Sequence, residues 1–150
     1  MKSVKGHFLL LLIVALVALM PLLAINPAAA SQQDFKLSIF PNSVTLKSGS
    51  SLHLYPSSGQ GLFVTSLNGL AGTINVGEKG PFVKNAPIVV PTRYDIWVSS
   101  TSPTSSTMLT VSTTSSTPTG TYILTITGTD ITSGSNYHLT HTATLTVTVT

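Results

Sequence analysis

The chain contains no cysteine, which excludes a disulfide scaffold, thiol catalysis and cysteine-ligated zinc. It is also poor in charge: 7% of its 150 residues are Asp, Glu, Lys or Arg, while 42% are hydrophobic. That balance is wrong for a charged disordered tail and right for one folded domain of ordinary size. The formal charge of +3 suggests a nucleic-acid partner only until the charges are placed. Lys2 and Lys5 lie within the first seven residues; from Ser31 onward Lys36, Lys47, Lys79, Lys84 and Arg93 face Asp34, Glu78, Asp95 and Asp130 with no cluster. A basic phosphate-binding face, and with it a nucleic-acid partner, is not expected.

Catalytic groups are equally sparse. His138 and His141 fall on opposite faces of one expected strand, His53 stands alone and His7 lies near the N-terminus, so no pair has metal-ligand spacing. The four carboxylates are dispersed, and Asp130, in a Gly/Ser/Asn-rich loop, is at most a calcium candidate. There is no Gly-x-Ser-x-Gly elbow and no phosphate-binding glycine loop. No catalytic, cofactor-binding or metal residue is assigned, and a non-enzymatic protein is expected. None of the six asparagines begins an Asn-x-Ser/Thr sequon. Ser99 to Thr119, dense in Ser, Thr and Pro, reads either as an O-glycan acceptor or as plain polar sheet faces and loops.

What the chain does have begins at its N-terminus. Lys2 and Lys5 precede an apolar run from Phe8 to Ile25, followed by Asn26-Pro27 and Ala28-Ala29-Ala30-Ser31. A basic start, an apolar stretch and small residues at the cleavage positions predict a signal peptide over 1–30, with the mature chain starting at Ser31. Two alternatives stay open. The run is almost long enough to remain as a membrane anchor through residues 8–25; and Lys5-Gly6 resembles the processing site of type IV pilin-like precursors, although Pro21 and Pro27 would interrupt the long helix such subunits use. Export without cysteine points to a prokaryotic cell surface, where the domain is stabilised by its core alone. No anchor is expected at Val147 to Thr150.

Residues 31–150 form the folded domain. Serine and threonine supply 42 of these 120 residues, a composition that favours strands over helices. From Tyr137 the odd positions read Tyr137, Leu139, His141, Ala143, Leu145, Val147 and Val149 against threonine on nearly every even one, which predicts one long half-buried strand. Tyr122, Leu124 and Ile126 alternate in the same way and predict its hairpin partner. Phe35, Leu37 and Ile39 form a first strand, bent at Pro41 before Val44 and Leu46. Leu52 and Leu54 open a second strand that Tyr55 to Gly61 interrupts. Asn68-Gly69 marks a turn before Ile74 and Val76. Gly77 to Pro91 reads as loops with an edge strand; Tyr94, Ile96 and Val98 then alternate, with Trp97 on the opposite face, and Leu109 and Val111 follow. About seven to nine short antiparallel strands with no helical period predict a two-sheet sandwich.

Several segments resemble one family. Leu67-Asn68-Gly69-Leu70-Ala71-Gly72-Thr73, Thr107 to Thr129, Leu139 to Val149 and the opening Asp34 to Ser50 are similar to immunoglobulin-like repeats of secreted archaeal and bacterial cell-surface proteins. Tyr55 to Gly61 departs from that pattern as an insertion, and Glu78 to Ser106 does not follow it. The resemblance implies an immunoglobulin-like β-sandwich over 31–150. Gly120-Thr121-Tyr122 resembles its tyrosine corner, with Leu124 in place of the usual inward cysteine, packed against Leu52 or Leu54.

Three function classes remain. The preferred one is a secreted, non-catalytic surface module with a structural or adhesive role, whose partners are other surface proteins, glycans or copies of itself. The second is an extracellular filament subunit assembled by strand exchange. The third is a carbohydrate-binding accessory module using Trp97, Phe63, Tyr55 and Tyr94 as one exposed row. Because the uncharged terminal strand, Tyr137 to Thr150, invites strand addition, the first and second classes differ in what covers it; internal pairing with Phe35 to Ile39 is expected, with Pro41 as the bend between sheets.

Overall fold

A computed structural model describes residues 32–79, 83–132 and 138–150; the predicted signal segment 1–30, Phe82 and Tyr137 lie outside them. Eleven strands follow one another: β1 (Asp34–Phe40), β2 (Ser43–Leu46), β3 (Ser51–Leu54), β4 (Gly61–Leu67), β5 (Gly72–Glu78), β6 (Ile88–Pro91), β7 (Asp95–Val98), β8 (Thr104–Thr107), β9 (Leu109–Ser112), β10 (Gly120–Asp130) and β11 (Thr140–Val149). All fall within one compact unit, Gln32–Thr150.

One sheet has the order β2-β11-β10-β5-β7; the strands of the other layer run β1-β4-β8 and β3-β9-β6. These last two triplets share their long strands, since β3 leads into β4 and β8 into β9. Leu54 pairs with Leu109 and Leu62 with Thr107, so seven residues (55–61) stand against one (Met108), and six are looped out of the ladder. The expected insertion is therefore present, built around a 3-10 turn at Pro56–Ser58. It rejoins the strand at Gly61, whose φ of +116° and whose position, with any Cβ 2.7 Å from the Thr107 carbonyl oxygen, admit no side chain.

The period-two pattern sets which side chains are inside. Leu124, Ile126, Leu145, Val147 and Val149 are buried from the β10–β11 hairpin, paired from Gly120↔Val149 to Thr129↔Thr140, while their threonine neighbours face outward. Ile74 and Val76 of β5, Leu62 and Val64 of β4, and Leu109 and Val111 of β9 complete a single apolar cluster between the layers. Each such side chain, fully buried, contributes roughly 1.5–3 kcal/mol, and this replaces the covalent link that a cysteine-free domain lacks. The result is the expected immunoglobulin-like β-sandwich. Its strand segments number eleven because Pro41, the looped-out segment and Met108 divide longer ones.

Two expectations need correction. The sandwich is not wholly antiparallel: β2 runs parallel to β11, with Ser43↔Thr146 and Leu46↔Val149 in register. The end of the terminal strand, Thr146–Val149, is accordingly paired with Ser43–Leu46, and Phe35 to Ile39 do not pair with it. Those residues belong to β1, which pairs antiparallel with β4, Asp34↔Leu67 to Phe40↔Gly61. The physical reason lies in what β1 must bury. Phe35, Leu37 and Ile39 are all 8% exposed or less, and they point from the opposite layer towards β10, where a Cβ on Gly128 would stand 3.2 Å from the Phe35 ring and 3.4 Å from the Leu37 side chain. A bulky ring is seated over a residue with no side chain. Pro41, which has no N–H to donate, ends this strand, and the next residues join the other sheet, anchored by Thr146 N–H to the Asn42 carbonyl (2.9 Å) and Thr150 N–H to the Leu46 carbonyl (2.9 Å).

Candidate functional site

Away from β1 and β2, the sandwich ends on β7 of one sheet and on β8 and β6 of the other; among the described residues β7 pairs only with β5, and β8 only with β4. A cleft of about 270 Å³ opens here, lined by Arg93, Asp95, Ile96, Trp97, Ser105 and Ser106. Alternation along β7 aims its side chains: Ile96 and Val98 are buried, so Asp95 and Trp97 must share the outer face. Trp97 is 58% exposed. In register beside them on β5 stand Asn75, opposite Asp95, and Thr73, opposite Trp97.

Hydrogen bonds fix this corner. The Ser105 hydroxyl donates to the Trp97 carbonyl (2.5 Å), which ties β8 to β7. Asn75 Nδ2 donates to Asp95 Oδ1 (2.7 Å) and holds that carboxylate on the sheet face. Upstream, Arg93 N–H donates to Thr107 Oγ1 (3.1 Å) and Thr92 N–H to the Met108 carbonyl (2.9 Å), so the segment entering β7 is pinned to the break between β8 and β9. Arg93 makes no ion pair among the described residues. The cleft thus brings a tryptophan, one carboxylate residue, one arginine and two serines to its lining, on strands whose backbone is paired.

Of the four aromatics expected to form a row, Trp97 alone lines the cleft. Phe63 is half-buried on β4, in register with Ser106; Tyr94 is exposed just before β7; and Tyr55 sits in the looped-out segment, 5.9 Å from the His53 ring. No two of these four rings stack among the described residues. The four lie on different elements. Arg93, Asp95, Ser105 and Ser106 were not singled out by sequence reasoning, although one signal was present: Asp95 and Trp97, two apart, are both out of phase with buried Ile96 and Val98.

The histidines serve separate local roles. His53 Nδ1 lies 3.0 Å from Thr110 Oγ1, and His138 Nδ1 lies 2.9 Å from the Asp130 carbonyl oxygen. His141 Nε2 lies 2.7 Å from Asp34 Oδ1, and its ring meets Phe35 edge-on at 4.7 Å. Partial burial pushes the Asp34 carboxyl up, but hydrogen bonds from His141 and from its neighbouring Phe35 amide, with the attraction of the imidazole, outweigh this and hold it below its ordinary value. Asp130, the calcium candidate, is 2% exposed and its Oδ1 accepts from Thr132 N–H (2.9 Å) and Thr132 Oγ1 (2.5 Å); the carboxylate closes a turn. The described residues contain no group of three His, Asp or Glu able to hold a metal ion. Tyr122 Oη donates to the Pro118 carbonyl (2.8 Å), the bond back to upstream backbone that defines a tyrosine corner, with Leu124 and Leu54 both in the buried core.

No family model matches the chain, and no curated protein matches it. Several solved structures share its general shape. One comes from work on T cell specificity and activation by the bacterial superantigen toxic shock syndrome toxin-1 (TM-score 0.40, 16% identity, 78% of this chain and 100% of that one). Another is the class 5 fimbriae chaperone CfaA (TM-score 0.41, 15% identity, 75% of this chain and 55% of that one), of which this chain spans about half. A third comes from work on fibronectin binding and biofilm formation by AAF fimbriae of enteroaggregative Escherichia coli (TM-score 0.39, 15% identity, 79% and 100%). With identities this low and TM-scores below 0.5, the fold is read from the chain's own strand pairing.

Proposed function

We propose that the chain is a secreted, non-catalytic immunoglobulin-like module of a prokaryotic cell surface with a structural or adhesive role. The observation that carries this reading is the use of its first folded segment. β1 adds to one layer and β2 to the other, so the end of the terminal strand, Thr146–Val149, is paired within the same chain. A module closed in this way stands alone, in tandem or beside other surface proteins without borrowing a strand. The basic, apolar and small-residue order of residues 1–31 supports export. The local contacts of His53, His138, His141, Asp34, Asp95 and Asp130 support a non-catalytic role.

Assembly by strand exchange is the competing reading, since β1 stands at the start of the folded unit and carries three core side chains that a neighbouring copy would accept equally well. The location is tested by N-terminal sequencing of protein washed from the cell surface or recovered from the medium. A start at Ser31 is expected. A start at His7, or recovery only from the membrane fraction with residues 8–25 intact, contradicts it.

A further inference from the structure

The cleft between β7 and β8 places the one tryptophan of the sequence at the surface with charged and hydroxyl side chains in the same lining. Burying an indole is one of the larger apolar contributions available to a core, yet the sole tryptophan of this chain is 58% exposed. Its backbone is held by β5 on one side and by the Ser105 hydroxyl on the other, so the ring is presented from a fixed base. Beside it, Asp95 has one carboxylate oxygen engaged by Asn75 and the other free of that bond, and Arg93 and Ser106 are exposed on the cleft wall.

From this arrangement we propose that the β7–β8 cleft binds a neutral pyranose oligosaccharide, a proposal that rests on the surface-module reading and names the ligand it would hold. A pyranose ring has an apolar C–H face and a rim of hydroxyls. The face stacks on the Trp97 indole, whose electron-rich surface attracts polarised C–H groups. The rim donates to the Asp95 carboxylate and accepts from the Arg93 guanidinium, bonds made stronger by the charge on the protein partner. One carboxylate and one guanidinium balance each other. A sugar acid would gain at Arg93 what it loses at Asp95, so the neutral ring is the better fit. A cleft of about 270 Å³, open on one side, suits one residue of a longer glycan.

Because Trp97 is the only tryptophan, its fluorescence reports this cleft alone. The full secreted protein is titrated with neutral oligosaccharides of glucose, mannose, galactose and N-acetylglucosamine, and with sialylated and uronate oligosaccharides. The expected result is a saturable change of Trp97 emission with at least one neutral series at millimolar concentration. Asp95→Ala is expected to weaken it about tenfold, and Trp97→Ala, followed by calorimetry, to abolish it. Both variants should melt with the parent, while Tyr55→Ala leaves binding unchanged. No saturable change with any neutral series, stronger binding of the acidic sugars, or undiminished binding by Trp97→Ala overturns the proposal. Surface-located protein that binds none of these sugars refutes the cleft and leaves the surface module standing; sugar binding by protein found only inside cells refutes the surface module and leaves the cleft standing.

Discussion

The two sides of this sandwich are finished differently. On one, β1 and β2 close both layers: three apolar side chains enter the core, Phe35 sits over Gly128, and an Asp34–His141 pair ties the start of β1 to β11. On the other, β7 and β8 are four-residue strands, edge strands as β1 and β2 are, but Asp95, Trp97 and Ser106 on them are exposed. An edge strand is a liability unless covered or made unattractive. This chain pairs the end of its longest hairpin, Thr146–Val149, with β2, and on the other side it ends on short strands bearing Asp95 and a hydroxyl clamp. Both sides feed one core, through Phe35, Leu37 and Ile39 on the first and Ile96 and Val98 on the second, and they differ in what their outer faces present.

That division is breakable by mutation. The largest effect is expected from Phe35→Ala, which empties the seat over Gly128 and should cost about 3–5 kcal/mol, read by chemical denaturation; a loss under about 1 kcal/mol would mean that β1 is not part of the core. Next is Tyr122→Ala, where a half-buried ring and its bond to the Pro118 carbonyl are lost together, for roughly 2–4 kcal/mol. Ser106→Ala, on the open side, should stay within about 0.5 kcal/mol. Equal melting of these two variants would erase the distinction.

The smallest effect concerns pH. Asp34 has a lowered carboxyl pKa in the folded state, so its contribution is present above the unfolded value and is lost as pH falls through the folded one. The gap in melting temperature between parent and Asp34→Asn should therefore narrow below about pH 4. It should also narrow in high salt, since the pair is partly exposed. A gap unchanged from pH 6 to pH 2 would remove the ion pair from the account.

Legibility followed the same division. The β10–β11 hairpin was readable because ten consecutive residues alternate without interruption, and the looped-out segment because Pro56, Gly59 and Gly61 break the alternation of Leu52 and Leu54. The partner of the terminal strand was misread for a definite reason. Alternation in Phe35, Leu37 and Ile39 tells which face of a strand is buried and carries no information about which of two facing sheets holds it; only the contact with Gly128, 93 residues away in sequence, decides that. The cleft was hidden for the opposite reason. Between Glu78 and Ser106 prolines and short apolar pieces leave too few periods to fix a register, so Arg93 and Ser105 could not be placed beside Trp97, and the four aromatics were grouped by type although their elements separate them.

The central claim is that the chain completes its own two sheets through β1 and β2. Size-exclusion chromatography with light scattering, on the intact secreted protein and on a form lacking residues 31–40, tests it most directly. The account predicts a monomer for the intact protein and aggregation for the deletion, because removing β1 uncovers β4 and the Gly128 seat. Intact protein running as long, heat-resistant polymers, with the deletion giving monomers, would contradict it and show that the first strand is exchanged between subunits.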